Sequence, residues 1–342
     1  MMKSDPHEPG IRLDDFAKNN QQEDFLLALN QQLSRVDLPQ PPIKNNISKL
    51  PLIYVVGAPR SGTTLLSQLI SRHLPVGYIN NLIARFWLRP SVGIRLSRGL
   101  FPANARSGLS LRSQHGTTSG IIEPHEFGYF WRHWLNLDQA PTHHLTSEML
   151  AVLDANGLKN ALENEILASF ACPVVFKNVI CGFHADFLTQ LHPASLFIHI
   201  SREPFASAAS ILKVRLERFG SYRTWWSLKP STFPFSIQTD DPAIEVATQV
   251  LECRREINEE LAKPGIRSFQ LSYEDLCDSP HRMIMEISAR IKHFGYTLEP
   301  VDLEFMDILP AQNSILPPDL EARLHEYLEK RGFDNEIDKS EI

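Results

Sequence analysis

The chain has 342 residues, of which 43% are hydrophobic and 22% are charged, and its formal net charge is −6. This composition is typical of a soluble globular protein, and the length suits one large domain or two ordinary ones. Because the net charge is negative, broad nucleic-acid binding is disfavoured and any basic site must be local.

The N-terminal segment, residues 1–48, is polar, and one short helix is expected near residues 24–36. The segment ends in a proline-rich linker, LPQPPIKNN (38–46), after which the first strong apolar run begins. We expect a single domain over residues 49–330, followed by a polar tail at 331–342.

The apolar run LIYVVG (52–57) is short, rich in β-forming residues and closed by a glycine, so it predicts a buried strand. The next segment, from Thr63 to about Leu74, has apolar residues at helical spacing and predicts a helix. A strand, a glycine turn and a helix in this order are what a phosphate site at a helix N-terminus requires.

Further strands are predicted at residues 173–180, 195–203 and 266–276, and further helices over 205–219 and 243–261. Near-continuous apolar strands that alternate with helices indicate a mainly parallel sheet covered by helices on both faces. We therefore expect a three-layer α/β fold.

Residues 54–66, YVVGAPRSGTTLL, have the outline of a phosphate-binding loop. Gly57 and Gly62 are spaced as in the loop that cradles nucleotide triphosphates, but Thr63 stands where that loop has lysine. Because the lysine contacts the β- and γ-phosphates of ATP, its absence disfavours kinase and ATPase chemistry. A nucleotide with a shorter 5′ group, held with Arg60 near the point of transfer, fits these residues better.

The stretch GAPRSGTTLL (57–66) resembles the 5′-phosphosulfate loop of sulfotransferases that use 3′-phosphoadenosine 5′-phosphosulfate (PAPS). The resemblance implies a P-loop NTPase-like sulfotransferase fold and PAPS as the donor. It also implies that the donor is bound by Pro59, Arg60, Ser61, Gly62, Thr63 and Thr64.

Two other stretches carry the same resemblance. In these enzymes a strand-end arginine and a serine eight residues later bind the 3′-phosphate, and SREPFASAAS supplies Arg202 and Ser210 at that interval. An arginine can hold a phosphate through two parallel hydrogen bonds. The stretch SYEDL (272–276) resembles the R-Y-E-D-L stretch of the protein-tyrosine sulfotransferase branch, which implies that Tyr273 helps to hold the nucleotide.

In that branch a basic residue four positions after the serine also meets the 3′-phosphate. Val214 stands at that position here, and both of its neighbours, Lys213 and Arg215, are candidates. The resemblance covers residues 50–75 and 170–280, and it is closer to the protein-tyrosine and bacterial carbohydrate branches than to the small-phenol enzymes.

Sulfuryl transfer to a hydroxyl needs positioning and electrostatic stabilisation, by analogy with phosphoryl transfer. Arg60 is expected to stabilise the transferring group. Lys177 stands where related enzymes have a strand-end lysine, and it is expected to neutralise the leaving group.

The general base is expected in the segment IIEPHEFGYFWRHW (121–134). In the tyrosine-sulfating branch a glutamate lies 21 residues after the loop arginine, but here the count reaches Asn81, which cannot accept a proton usefully. His125 has a suitable pKa, and Glu126 would serve if burial raised the pKa of its carboxyl.

The residues on the acceptor side are expected in two insertions, at 80–145 and 221–240, which fit no strand pattern. All five tryptophans lie there and suit a sugar or aromatic acceptor, although packing the insertions onto the sheet would also explain them. Six arginines between residues 85 and 112 could meet an anionic polymer or form a solvated helix face. Together these features favour a carbohydrate or glycolipid hydroxyl.

Metal and membrane features are not expected. Five of the 13 histidines lie within 115–144 but lack metal-ligand spacing, and the four scattered cysteines form no C-x-x-C pair. No apolar run approaches the roughly 20 residues that span a bilayer, and the N-terminus lacks the core of a secretory signal. The sequence predicts a cytoplasmic protein without a membrane span.

The sequence therefore predicts a PAPS-dependent sulfotransferase that needs no metal. Its predicted partners are the nucleotide donor and a hydroxyl acceptor, and not nucleic acid. A nucleotide kinase with an atypical loop and a non-catalytic nucleotide-binding relative are the alternatives. The acceptor and the oligomeric state stay open.

Overall fold

A computed structural model of the chain describes residues 12–13, 16–37, 39, 47–234, 240–301, 304–305, 308 and 315–331. The expected linker at 38–46 lies outside the described residues except for Pro39. The expected tail at 331–342 lies outside them except for Arg331, as does part of the second insertion, 235–239.

Five parallel strands of the described chain form one sheet in the order β2–β3–β1–β4–β5. They are β1 (Leu52–Val56), β2 (Gly77–Tyr78), β3 (Val174–Lys177), β4 (Ser195–Ser201) and β5 (Ser268–Ser272). The register places Val55 of β1 beside Lys177 on one side and beside Ile198 on the other. Because β1 lies between two neighbours and under helices, all five of its residues are buried.

Helices cover both faces of this sheet. They are α1 (Asn20–Arg35), α2 (Thr63–His73), α3 (Pro90–Leu100), α4 (Gly128–Trp134), α5 (Ser147–Ala151), α6 (Ala155–Asn160), α7 (Ala168–Phe170), α8 (Ala185–Leu191), α9 (Pro204–Phe219), α10 (Pro242–Leu261), α11 (Tyr273–Asp278), α12 (Pro280–His293) and α13 (Pro318–Lys330). A π-helical stretch, Ala161–Leu167, joins α6 to α7.

Two apolar cores lie on opposite faces of the sheet because alternate residues of β1 point to opposite sides. On one face the ring of Tyr54 stacks against Phe176 and Phe197, at centroid distances of 5.6 and 5.0 Å. On the other face Ile53 and Val55 pack with the apolar residues of α2 and α12. The predicted three-layer α/β fold with a parallel sheet is confirmed.

The predicted elements are present with shifted ends, but strand β2 and several helices, among them α3, α12 and α13, were missed. Residues 273–276, predicted as the end of a strand, begin helix α11. Helix α1 begins four residues earlier than expected because the side chain of Asn19 caps it by accepting the Gln22 N–H. The predicted strands are shorter than their apolar runs, and β2 is only two residues long, too short for an alternation pattern. The insertion at 80–145 is largely short helices and turns.

The N-terminal helix is packed on the rest of the chain. Leu26 is buried in the first core, and the amide of Asn30 donates to Arg85 O at 2.8 Å and accepts from Leu88 N at 3.0 Å. The domain boundary at residue 49 stays a prediction.

Most of the arginines between residues 85 and 112 are structural. The guanidinium groups of Arg89, Arg95, Arg98 and Arg106 all donate to main-chain carbonyls. They hold α1, residue 39, α7 and α2 to this segment, so these four side chains form neither a solvated stripe nor a free polyanion site.

The parallel sheet brings the predicted motifs to one edge. Gly57 follows β1, Lys177 ends β3, Arg202 follows β4 and Tyr273 follows β5. In open α/β sheets, ligands bind in the crevice at the carboxyl ends of the strands, where the strand order reverses. Among the described residues, no helix is long and apolar enough to cross a membrane.

Candidate active site

The turn between β1 and α2 is a preformed anion site. A Cβ on Gly57 would lie 2.4 Å from Ile200 O, so only glycine fits that close approach. Helix α2 starts at Thr63 without a side-chain cap and without an acid in its first turn, so its N–H groups stay available for an anion. The hydroxyl of Ser61 is buried and has no hydrogen-bond partner in the described chain, which suits a bound oxyanion.

The three donor motifs meet around Gly62. This residue has φ of +100°, and a Cβ there would lie 2.3 Å from Cδ2 of Tyr273, so the tyrosine ring lies directly on the loop. The guanidinium of Arg202 lies over the same ring, 4.5 Å from its centroid. Arg60 completes the cluster, since its Nε donates to Ser210 Oγ at 2.9 Å and its carbonyl accepts from Arg202 Nη1 at 3.4 Å.

An ion pair faces this cluster. The ammonium of Lys177, which is 4% exposed, donates to the carboxylate of Glu126, which is 48% exposed. Asn178, the next residue, donates from Nδ2 to the Glu126 carbonyl at 3.0 Å and so fixes the backbone that carries the carboxylate. Lys177 is therefore directed into the site and is not a surface lysine on an edge strand.

These groups border a single cavity of about 470 Å³. The predicted site residues that line it are Pro59, Arg60, Gly62, Thr63, Thr64, Glu126, Lys177, Arg202 and Tyr273. Three others do not line it. Ser61 is buried beneath the loop, Ser210 is covered by Arg60, and His125 faces a neighbouring cavity.

Burial and neighbouring charges shift the pKa values of this site. Burial, followed by the nearby charge of Arg202, lowers the pKa of Arg60 to about 10. Burial also lowers the pKa of Lys177, although Glu126 acts to raise it. Removal from water acts to raise the pKa of Glu126, but the Lys177 ammonium outweighs this and holds that pKa below its ordinary value. The sequence predicts that Glu126 serves as the base if burial raises the pKa of its carboxyl. That pKa is not raised while Lys177 contacts the carboxylate.

His125 is a neutral hydrogen-bonding residue. Burial lowers its pKa to about 4, and its Nδ1 accepts the Phe127 N–H at 2.8 Å. In the neutral ring the proton then lies on Nε2, which leaves no free lone pair to accept another proton.

A tight turn at His115–Gly116 lies across the loop between β1 and α2, residues 57–62, which we call the donor loop after its predicted role. Both residues have positive φ, +52° and +82°, between the bridged residues Gln114 and Thr117. A Cβ on Gly116 would lie 3.4 Å from Arg60 Nη1 and 3.6 Å from Thr64 Oγ1. The turn thus touches the loop where the proposed transfer would occur, and no pattern in the sequence indicated it.

Arg218 is a cavity residue that sequence reasoning missed. It lies in the last turn of α9, with its guanidinium 5.6 Å from the Trp226 ring centroid and 5.7 Å from that of Phe16. The sequence did indicate this position, because residues 210, 214 and 218 are four apart and lie on the same face of a helix as the predicted site residue Ser210.

Neither candidate beside Val214 lines the cavity. Arg215 is fully buried and donates to Glu245 and Gln249, whereas Lys213 is 52% exposed and lies 3.9 Å from Glu217. Asn81 is structural, since its amide donates to Thr118 O and Gly120 O and holds the loop that contains the His115–Gly116 turn.

The tryptophans divide between packing and cavity walls. Trp131 belongs to the main core, and Trp134 and Trp225 pack within the insertions. Trp226 lines the donor-loop cavity, and Trp87 lines the neighbouring one. Within the described part of the chain, no three potential metal ligands group together.

A model of the sulfotransferase family matches residues 51–293, which contain every motif described above. The chain belongs to the sulfotransferase family. The fold is accordingly the P-loop NTPase-like fold of sulfotransferases, and the activity class is transfer of a sulfuryl group. A comparison with curated protein sequences finds no match.

Solved sulfotransferase structures are distant neighbours of this sulfotransferase. STF9 from Mycobacterium avium is 15% identical with a TM-score of 0.45, over 91% of this chain and 74% of that one. A sulfotransferase from Alicyclobacillus acidocaldarius is 18% identical with a TM-score of 0.39, over 83% and 93%. The sulfotransferase domain of the Synechococcus PCC 7002 olefin synthase is 17% identical with a TM-score of 0.37, over 87% and 100%. Likenesses this distant carry no information on the donor or the acceptor.

Proposed function

We propose that this sulfotransferase transfers a sulfuryl group from PAPS to a hydroxyl of a carbohydrate or glycolipid, without a metal. The observation that carries the proposal is the convergence of three separate stretches, at Gly62, Arg202 and Tyr273, on one cavity opposite the Lys177–Glu126 pair.

The donor would be held at both ends by residues of this chain. The N-terminus of α2 with Thr63 and Thr64, which both line the cavity, suits the 5′ group, because uncapped N–H groups and hydroxyls both donate to an anion. Arg202 suits the 3′-phosphate. Its guanidinium lies over the ring of Tyr273, which orients it. We assign Ser210 the role of orienting Arg60, since its hydroxyl accepts from that guanidinium.

When bound, PAPS would supply the sulfuryl group and the phosphate that leaves with the nucleotide. Arg60 would stabilise the negative charge at the point of transfer, and Lys177 would neutralise charge on the leaving phosphate. Both cations line the cavity, and the side chain of Lys177 is almost fully buried, where a charge acts more strongly than in water.

Glu126 is the base that we propose in preference to His125. Its carboxylate is ionised at neutral pH, whereas Nδ1 of His125 is occupied by the Phe127 N–H. If Lys177 turned to the leaving phosphate, Glu126 would lose the charge that lowers its pKa, and its affinity for the acceptor proton would rise. His125 would then act as an N–H donor to the acceptor.

The kinase alternative has less support. Thr63 stands where a kinase loop carries lysine, and an ATP-dependent reaction would also need magnesium ligands. The non-catalytic alternative rested on Asn81, but Glu126 provides a carboxylate at the cavity wall.

Parallel assays with two labelled donors test the proposal. The purified protein is incubated with a panel of glycans and glycolipids and with either ³⁵S-PAPS or γ-³²P-ATP and magnesium. We expect ³⁵S to enter at least one acceptor, and a Glu126→Gln variant to lose that transfer. Transfer of ³²P would support a kinase, and absence of both labels from every acceptor would support a non-catalytic relative.

A further inference from the structure

We propose that a second cavity, adjoining the donor-loop cavity, is the acceptor site, and that it selects a sugar bearing an anionic group. This inference rests on the proposed function and names its substrate class. The second cavity has a volume of about 410 Å³.

The two cavities meet at the proposed base. They share the residues Arg12, Gly116, Thr117, Glu126, Gly128 and Arg132, but the donor-loop residues Arg60, Thr63 and Thr64 line only the first. A hydroxyl entering from the second cavity would therefore reach Glu126 through a space that the α2 N-terminus does not line. In-line transfer requires the attacking hydroxyl oxygen and the leaving phosphate oxygen to lie on opposite sides of the sulfur, and separate entries for donor and acceptor suit that arrangement.

The wall of the second cavity has an excess of positive charge. Its cations are Arg12, Lys18, Arg85 and Arg132, and its carboxylates are Glu23 and Glu126. Both carboxylates are engaged already, and so are two of the cations, since Lys18 lies beside Glu23 and Arg132 pairs with Asp138. Glu23 accepts from the Tyr129 hydroxyl and lies 3.8 Å from Lys18, while Glu126 contacts Lys177 of the first cavity.

Arg85 is the cation best placed to bind an anionic substituent. Its side chain is exposed at the cavity, and no hydrogen bond or ion pair joins its guanidinium to another described residue. It lies close enough to His125 for its charge to lower the pKa of that ring. A carboxylate or sulfate ester on the acceptor would give Arg85 the planar partner that its guanidinium suits.

The rest of the wall suits a sugar ring. The rings of Trp87 and Tyr129 lie 4.9 Å apart at an angle of 38°, and they form an aromatic corner beside the polar side chain of Asn81. Aromatic surface and convergent polar groups are the usual lining of a small-molecule site. His125 adds a proton on Nε2 for an acceptor oxygen.

Matched acceptors that differ only at C6 test the inference. Calorimetry measures binding of p-nitrophenyl β-D-glucuronide, the corresponding glucoside and its 6-sulfate to protein saturated with the desulfated donor, 3′-phosphoadenosine 5′-phosphate (PAP). No turnover is needed, so a failed transfer reaction would not obscure the result. We expect each anionic ligand to bind about fivefold to tenfold more tightly than the glucoside, as one charge-assisted contact provides.

The Arg85→Gln variant should bring all three dissociation constants to within about twofold of one another, because the selecting charge is gone. The control is Arg112→Gln, which removes another exposed charge that lines neither cavity and should keep the preference. Tighter binding of the glucuronide alone would identify a carboxylate as the anionic group of the acceptor. Tighter binding of the 6-sulfate alone would identify a sulfate ester. Equal binding of all three ligands by the wild type, or a preference that survives Arg85→Gln, would overturn the inference while leaving PAP binding intact.

Discussion

Lys177 and Glu126 form an ion pair, although the proposed reaction gives them different roles: Lys177 neutralises the leaving phosphate and Glu126 acts as the base. The lysine is almost fully buried and the carboxylate half exposed, so their attraction acts at the edge of a low-dielectric region. This contact lowers the pKa of Glu126 and so favours its ionised form, and it opposes the lowering effect of burial on the pKa of Lys177. The pair therefore favours the carboxylate form of Glu126 and the ammonium form of Lys177, which are the forms that the proposed transfer uses.

The first prediction concerns the pH dependence of this pair. Because Lys177 lowers the pKa of Glu126, the wild type should keep kcat/KM down to a pH below the ordinary glutamate pKa. In Lys177→Met the carboxyl loses the neighbouring ammonium that lowers its pKa, so the acid limb should move to higher pH. The variant should also lose about 100-fold in kcat, as loss of one stabilising group does. The pH profile of residual ³⁵S transfer measures both.

An acid limb that stayed in place in Lys177→Met would show that Glu126 is not the titrating base. Arg282→Gln is a suitable control, because that exposed arginine pairs with Asp275 away from both cavities.

At this scale the sequence predicted the residue types better than their partners. Lys177 was expected in the cleft because it ends a strongly apolar strand, and the structure directs it there. Asn178 was missed because its role depends on the Glu126 carbonyl, 52 positions away in sequence. Arg218 was missed although its place on the same helix face as Ser210 indicated it.

The conformation of the donor loop depends on contacts with residues at the ends of neighbouring strands. Gly62 has a backbone conformation that side chains rarely adopt, and Tyr273 covers the space that a side chain would need. The loop conformation is thus set jointly by the glycine and by a residue about 210 positions later.

The second prediction is that Gly62→Ala damages both stability and nucleotide binding. The substitution forces an unfavourable φ and a clash with the Tyr273 ring, and it should destabilise the fold by about 2 kcal/mol or more. Thermal unfolding with and without PAP would measure the loss of stability and of ligand-induced stabilisation.

Gly99→Ala is the matched control, because a Cβ at that position in α3 meets nothing within 4 Å. It should unfold within about 1 kcal/mol of the wild type, on the stabilising side. Equal behaviour of the two variants would contradict the account of the loop.

Strands β1, β3, β4 and β5 and helices α1, α2, α9 and α10 were predicted from the sequence, but the turn that covers the site was not. The turn at His115–Gly116 is held by a two-residue bridge and by the amide of Asn81, and neither leaves a periodic pattern. The two-residue strand β2 was missed for the same reason.

Across the whole molecule, the parallel sheet explains why stretches far apart in sequence form one site. Residues following β1, β4 and β5 meet because parallel strands end at the same edge. The apolar runs made this sheet predictable. The contribution of the N-terminal residues was not predictable, because Arg12 and α1 belong to a polar segment whose burial depends on tertiary contacts.

The most direct test of the central claim compares two nucleotides that differ only in the 3′-phosphate. Calorimetric titration of the wild type with PAP and with adenosine 5′-phosphate should give at least about tenfold tighter binding of PAP, as expected for a charge-assisted contact with Arg202. In Arg202→Gln the two dissociation constants should become similar. Equal affinities in the wild type, or an unchanged ratio in the variant, would contradict the assignment of this cavity to the donor.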